Sequence, residues 1–447
     1  MQERRNSEFG SRQEEKPQSR CFRSSVISLS ASDYRIPNSS AGRIHLQTAI
    51  TTNYHPVTMK QLRRIIFWCH LLTGVVVSLI VLLMSVTGVL LTYERQIVAW
   101  ADRNACRMPA PPADAQRLSI ETLLATVRAA QPGLSPATVT LYADPAAPAM
   151  FGLAGGRNLF VNPYTGEALG EGAISTRNFF RTMTNWHRWL GADGENRKTA
   201  RAITGACNLG FLFIVISGLY LWWPRVLSRV QFKNILWFRR GLPGKARDFN
   251  WHNVIGFWSL VPLFIVVLSG VVISYPWASN LVYRVVGEAP PQPRSASGNA
   301  AAPRREGDRT AEAPLTDPDQ AWARAAQQMP GWRSISLRLP AAGSTALTFT
   351  IDRGTGGQPH KRAQLTLNGS GEIVSREEFS GYSTGRKLRS FLRFAHTGEV
   401  GGLIGQTIAG LVSAGSVLLV WTGLALAWRR LTAWRARRAR VPADAMA

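Results

Sequence analysis

Four stretches of this chain constrain it more than anything else in the sequence. Ile65–Tyr93, Ile203–Trp223, Val254–Tyr275 and Leu403–Trp428 carry no Asp, Glu, Lys or Arg in their apolar cores. Each meets the roughly 20 residues that a helix needs, at 1.5 Å per residue, to cross a hydrocarbon core about 30 Å thick. Trp and Tyr at their ends match the aromatic belts of membrane interfaces. Buried helices of a large soluble core are the alternative, and four uncharged runs of this length are hard to bury that way. The expected class is an α-helical membrane protein with four transmembrane helices.

The net charge of +25 does not signal a nucleic-acid partner, because much of it lies beside the spans. Lys60, Arg63 and Arg64 precede the first. Arg225, Arg229, Lys233, Arg239, Arg240, Lys245 and Arg247 crowd the loop between the second and third, and Arg429, Arg430, Arg435, Arg437, Arg438 and Arg440 follow the fourth. Positive residues in short segments near span ends mark the cytoplasmic side. Both termini and the short basic loop are therefore expected in the cytoplasm, with the two long loops on the outer side of the membrane. Cys21, Cys69, Cys106 and Cys207 form no disulfide framework. No C-x-x-C-H motif occurs, so any haem would not be covalently attached.

The chain repeats itself. His70, Gly74 and Gly88 in the first span have the same spacing as His252, Gly256 and Gly270 in the third. Gly205, Gly210, Ser217-Gly218 and Trp223 match Gly410, Gly415, Thr422-Gly423 and Trp428. The long loops repeat too. Ser119–Gln131 reads as a helix, followed by strand-like runs at Ala137–Tyr142, Ala149–Leu153 and Asn158–Asn162. Pro318–Met329 reads as a second helix, followed by runs at Ser334–Leu339, Ala346–Ile351 and Ala363–Asn368. Alternating apolar and polar residues between Gly, Pro and Asn predict strands, so each loop is expected to be a small α+β module.

The expected organisation begins with a disordered N-terminal extension, 1–58, with Met59 resembling a natural start. A first span (59–93) and a first periplasmic module (94–180) follow, then an interfacial helix with the second span (181–224) and a basic cytoplasmic loop (225–250). The third span is 251–276. A linker, rich in Pro, Ala, Gly, Ser and Arg over Glu288–Ala313, and the second module fill 277–385. An interfacial helix with the fourth span (386–430) and a cytoplasmic tail (431–447) complete the chain.

Four histidines stand at matched places: His70 and His252 open the first and third spans, while His187 and His396 shortly precede the second and fourth. An ionisable ring near the bilayer is costly and points to function, although a hydrogen-bonded interfacial histidine is the bland reading. His45, His55 and His360 lie in polar surroundings. The topology puts two histidines at each face. Zinc prefers tetrahedral Cys and His sets, which two histidines and no cysteine pair do not supply. Haem iron needs two axial ligands from the protein. His70 with His252, and His187 with His396, are therefore the expected metal ligands of two haem b groups per chain. Gly74 and Gly256, one turn beyond their histidines, would leave room for a flat macrocycle, or serve close helix packing. Arg389 and Arg393 share a helical face with His396 and suit haem propionates, or anchor the helix to lipid headgroups. No nucleotide-binding motif, nucleophile triad or H-E-x-x-H is present.

The segment Leu159–Gly170, ending a helix-then-strands pattern, looks like a PepSY domain. Together with His70–Gly74, Trp186–Leu190 and the four spans, it makes the chain resemble the PepSY-associated transmembrane family over roughly residues 60–430. Gly369-Ser370 departs from the usual turn of that domain. The resemblance implies an inner-membrane protein linked to iron uptake, and a transmembrane oxidoreductase like the ferric-siderophore reductases. Electrons would come from quinol or a separate cytoplasmic reductase and pass to a periplasmic ferric chelate. It also permits a non-redox protein whose PepSY modules bind or inhibit peptidases. A transporter built on the repeat is disfavoured, because no span carries a carboxylate.

The charge pattern generates a direct test. Reporter fusions after Glu171 and after Ala311 are expected to read as periplasmic, and a cytoplasmic signal at either position contradicts the expected topology.

Overall fold

In a computed structural model, residues 58–112, 114–130, 136–224, 229–292, 317–340 and 345–439 are described. The expected N-terminal extension, Cys21, His45, His55 and most of the Glu288–Ala313 linker lie outside them.

In chain order the helices and strands are α1 (Met59–Leu91), α2 (Glu94–Ala105), α3 (Ile120–Ala130), β1 (Thr138–Tyr142), β2 (Ala149–Gly152), β3 (Asn158–Val161), β4 (Ala168–Gly170), α4 (Ile174–Trp189), α5 (Asn196–Trp222) and α6 (Arg229–Leu236). They continue with α7 (Gly244–Ser274), α8 (Pro276–Val285), α9 (Pro318–Gln328), β5 (Ser334–Arg338), β6 (Leu347–Asp352), β7 (Arg362–Leu367), β8 (Ile373–Glu378), α10 (Thr384–Ala395) and α11 (Gly402–Ala439).

Helices α1, α5, α7 and α11 are long and apolar enough to cross a membrane. They pack as a ring in which α1 touches α5 and α11, and α7 touches the same two. Thus α1 and α7 stand diagonally across the bundle. Outward residues such as Val76 and Leu79 on α1 and Val261 on α7 are exposed, a surface that lipid would cover. Inward, glycines let backbones approach. A Cβ at Gly210 would sit 3.1 Å from Val77 Cγ1, one at Gly205 2.9 Å from Tyr275 Oη, and one at Gly410 2.9 Å from Thr92 Cγ2. Small residues at such crossings replace the hydrophobic drive that lipid removes. At the basic-loop end, the buried Asp248 carboxylate meets Arg247 at 3.1 Å and Arg429 at 3.2 Å, tying α7 to α11.

The two extramembrane segments do not make separate sheets. Each contributes four strands to one antiparallel sheet of order β4-β3-β2-β1-β5-β6-β7-β8. The seam is β1 against β5, with Val139 opposite Leu337. Either half alone would expose an unpaired edge at this position, and pairing removes it. The sequence pattern predicts three strands per segment. The fourth strands escape it because β4 has three residues and β8 is almost wholly exposed, so neither alternates in hydrophobicity.

One face of the sheet is covered by α3 and α9. Leu123 and Val127 from α3 and Ala321 and Ala325 from α9 pack on Val139, Phe151, Leu337 and Phe349 in one apolar cluster. The Asp319 carboxylate accepts from the Ile120 backbone N–H at 2.7 Å, joining the start of α3 to α9. On the opposite face of the seam, Thr140 Oγ1 and Ser336 Oγ are hydrogen-bonded at 2.8 Å.

Phe349 is fully buried and meets the Trp322 ring edge-on. Phe349→Ala is expected to destabilise the sheet by about 3–5 kcal/mol and lower the thermal midpoint of the detergent-solubilised protein. Val374→Ala, at an exposed position, serves as the control. Equal midpoints for the two variants would contradict the described core.

Candidate functional site

The four singled-out histidines fall at two levels of the bundle. His70 on α1 and His252 on α7 stand toward the basic-loop end, within electrostatic reach of one another. His187, in the last turn of α4, and His396, at the end of α10, meet at the sheet end with ring centres 6.3 Å apart and planes at 62°. His187 precedes the spanning helix α5 in sequence and lies on the separate helix α4. It reaches the bundle because α4 packs on α1 and ends at Leu190, whose φ of 54° reverses the chain. His396 follows Leu392 in helical register, on α10, which packs on α7.

Each ring is held by a hydroxyl on a neighbouring helix. His70 Nδ1 lies 2.8 Å from Ser217 Oγ on α5. His252 Nδ1 lies 3.0 Å from Thr422 Oγ1 on α11. His187 Nδ1 lies 2.9 Å from Thr87 Oγ1 on α1. His396 Nδ1 lies 3.2 Å from Ser269 Oγ on α7 and 2.9 Å from the Val266 carbonyl. These hydroxyls are the residues that motif reading missed. Their signal was visible: each belongs to the Ser/Thr-Gly pair that recurs in every span. In three of the four pairs the glycine also makes room for the ring. A Cβ at Gly218 or Gly423 would lie 3.4 Å from Cε1 of His70 or His252, and one at Gly88 3.7 Å from Cε1 of His187. Any longer side chain would displace the imidazole.

Hydrogen bonding assigns the protons. The hydroxyls donate along their own helices: Thr87 to Leu83 O at 2.7 Å, Thr422 to Leu418 O at 2.7 Å, Ser269 to Val266 O at 2.8 Å and Ser217 to Ile214 O at 3.3 Å. A hydroxyl whose single proton is committed can only accept from the ring. At His396 the Val266 carbonyl, 2.9 Å away, can only accept, so Nδ1 carries the hydrogen; at the other three rings the hydroxyl's bond along its own helix favours the same tautomer, with Nε2 keeping its lone pair. Among the described residues, no Nε2 of the four has a hydrogen-bond partner. An imidazole with Nδ1–H engaged and Nε2 bare is the form that binds metals.

The spacing at the sheet end also suits a shared metal. A metal–nitrogen bond of about 2.0 Å, with about 1.1 Å more to each ring centre, separates two opposed imidazole centres by about 6.2 Å. The observed 6.3 Å agrees. Among the described residues no group of three or more His, Cys, Asp or Glu could close a tetrahedral site. The levels are well separated, since seventeen residues divide His70 from Thr87 and likewise His252 from Ser269. That is roughly 25 Å along a helix.

Gly74 and Gly256 differ from the packing glycines. A Cβ at Gly74 would meet only Ile214 Cδ1, at 4.0 Å, and one at Gly256 only Leu419 Cδ2, at 3.7 Å. A side chain at either position would meet its neighbour at ordinary contact distance, so neither glycine is required by a close crossing. Two buried polar atoms are unsatisfied near the histidine levels: Asn185 Oδ1, two residues before His187, and Trp222 Nε1, five after Ser217. Of the arginines expected at the sheet end, Arg389 Nε donates to Ser279 Oγ at 2.8 Å, so it holds α10 to α8. Arg393 lies near Arg188. Burial, and then the neighbouring Arg393 and Arg201 guanidinium groups, pull Arg188 below the ordinary guanidinium value. None of these three pairs with a carboxylate among the described residues. Arg201 was not expected and donates only to the carbonyls of Ile273 and Ser274. His360 is exposed.

On the sheet side of the histidines lies a cavity of about 1190 Å³. Residues from α2, the β1–β3 strands and α4 line it, including Tyr142, Phe160, Arg181, Asn185, Trp189 and Arg333. Asn185 and Trp189 are on the helix that carries His187. Of the cavity arginines, Arg95 pairs with Glu399, Arg177 with Asp102 and Arg197 with Asp193, while Arg103, Arg181 and Arg333 have no carboxylate partner among the described residues, and Glu94 and Asp144 line the same cavity.

A comparison with curated proteins finds no match. The family model described as the PepSY-associated TM region matches residues 67–430, which takes in all four spanning helices, both halves of the sheet and all four histidines. The chain therefore belongs to the PepSY-associated transmembrane family.

Proposed function

We propose that the chain is a b-type dihaem protein of the bacterial inner membrane. On this reading it passes electrons from quinol or a cytoplasmic reductase to a periplasmic ferric chelate, with both termini cytoplasmic and the sheet, as two PepSY modules, in the periplasm. The observation that carries the proposal is the pairing of imidazoles, each with Nδ1–H engaged and Nε2 bare, at two levels of one bundle. His70 and His252 would hold one haem, and His187 and His396 the other. A bound haem b supplies a one-electron Fe(III)/Fe(II) couple at each level.

The remaining residues fit that assignment. The looser packing beside Gly74 and Gly256, where a Cβ would come no closer than 3.7 Å to a neighbouring side chain, suits a flat ring lying against α1 and α7. The unpaired positive cluster of Arg188, Arg201 and Arg393 suits the propionates at the sheet end, where guanidinium groups match carboxylates in shape. Trp222 Nε1, buried without a partner, has a hydrogen bond to give at one end, and Asn185 Oδ1, likewise buried, has one to accept at the other. The cavity of about 1190 Å³ is large enough for a metal chelate. Its unpaired Arg103, Arg181 and Arg333 favour an anionic one, held beside the helix that presents His187.

His70→Ala and His252→Ala are each expected to remove the same half of the haem absorbance, and His187→Ala and His396→Ala the other half. Every one of the four is expected to abolish reduction of an external ferric chelate in vesicles. Full haem content in all four variants would contradict the proposal and favour the regulatory reading of the PepSY modules.

A further inference from the structure

We propose that Ser217, Thr422, Thr87 and Ser269 are positioning residues that fix the tautomer and orientation of the four histidines, and that they contribute unequally in an order set by each ring's second acceptor. This rests on the haem reading above and deepens it.

All four Nδ1–H groups meet a hydroxyl whose own proton points down its helix. The carbonyl three residues before that hydroxyl supplies the second acceptor where one exists. For His396 it is Val266 O, at 2.9 Å, closer than the Ser269 hydroxyl at 3.2 Å. His187 and His252 also face such carbonyls, those of Met84 and Leu419, but their hydroxyl bonds at 2.9 and 3.0 Å are the ones with good geometry. His70 has Ser217 Oγ alone, at 2.8 Å. Removing a hydroxyl therefore leaves His396 oriented by a carbonyl, leaves His187 and His252 with a weaker anchor, and leaves His70 with none. A ring without a partner for Nδ1 is free to present the wrong nitrogen or rotate away. Partners of this kind contribute about 10–100-fold to metal affinity.

The helices do not depend on these bonds, because each hydroxyl also bonds a carbonyl of its own helix. The replacements Ser217→Ala, Thr422→Val, Thr87→Val and Ser269→Ala keep side-chain volume near that of the parent. They are expected to yield protein with unchanged gel-filtration and circular dichroism profiles.

The test uses the full-length protein with haem content, titrated haem affinity and the low-temperature electron paramagnetic resonance spectrum as readouts. Ser217→Ala is expected to lower affinity at the His70–His252 site by about 10-fold or more and to perturb only that site's low-spin signal. Thr422→Val and Thr87→Val are expected to have intermediate effects, each at its own site. Ser269→Ala is expected to have the smallest effect. Thr87→Ser and Thr422→Ser, which restore a hydroxyl, are expected to recover wild-type values. Wild-type protein without haem would overturn both this inference and the function on which it rests. Haem-replete wild type with four variants of unaltered affinity and spectrum would overturn the inference alone, as would Ser269→Ala proving the most damaging.

Discussion

The hydrogen bond from a histidine Nδ1–H to a Ser or Thr hydroxyl on a neighbouring helix is the contact on which the presentation of all four imidazoles depends. It occurs four times, with Nδ1 to oxygen distances of 2.8 to 3.2 Å. In each case it solves two problems. It satisfies a polar N–H that would be expensive to bury unpaired, and it leaves Nε2 as a free lone pair. The hydroxyl is available as an acceptor because its own proton is spent on a backbone carbonyl of the same helix. At His70, His252 and His187 the glycine that follows the hydroxyl residue also keeps the space which the ring needs.

The ring of helices α1, α5, α7 and α11 places these contacts. His70 on α1 is held from α5, and His252 on α7 is held from α11, so diagonal helices present rings that adjacent helices orient. At the other end α1 and α7 change roles and supply the hydroxyls, Thr87 and Ser269. The histidines there come from α4 and α10, which run to the bundle from the extramembrane segments. Formation of the sheet-end pair thus links the single eight-stranded sheet to the spanning helices. The Arg95–Glu399 ion pair reinforces that link. On the proposed reading, the couple nearer the sheet is also the one beside the cavity, with α4 as their common wall.

Much of this was legible in the sequence. The four spans announced themselves by length and absence of charge, and six of the eight strands by alternation between Gly, Pro and Asn. The histidines stood out because polar rings are rare beside apolar runs. Other features could not be read. Strands β4 and β8 carry no apolar alternation. The β1–β5 seam joins segments nearly two hundred residues apart, and no local pattern records it. Thr87, Ser217, Ser269 and Thr422 were on the page as halves of repeated dipeptides. Their partners are 100, 147, 127 and 170 residues away, so only tertiary structure gives those hydroxyls a role. Arg389 was grouped with His396 by helical spacing, but its guanidinium is turned to Ser279.

The central claim is that the chain holds two metals, each between two imidazoles. Its most direct test is to measure the iron and protohaem content per chain of purified wild-type protein, together with the spin state of the oxidised form. Two haems per chain, both six-coordinate and low-spin, is the predicted result. A colourless protein, one haem per chain, or a high-spin site with a single histidine ligand would contradict it.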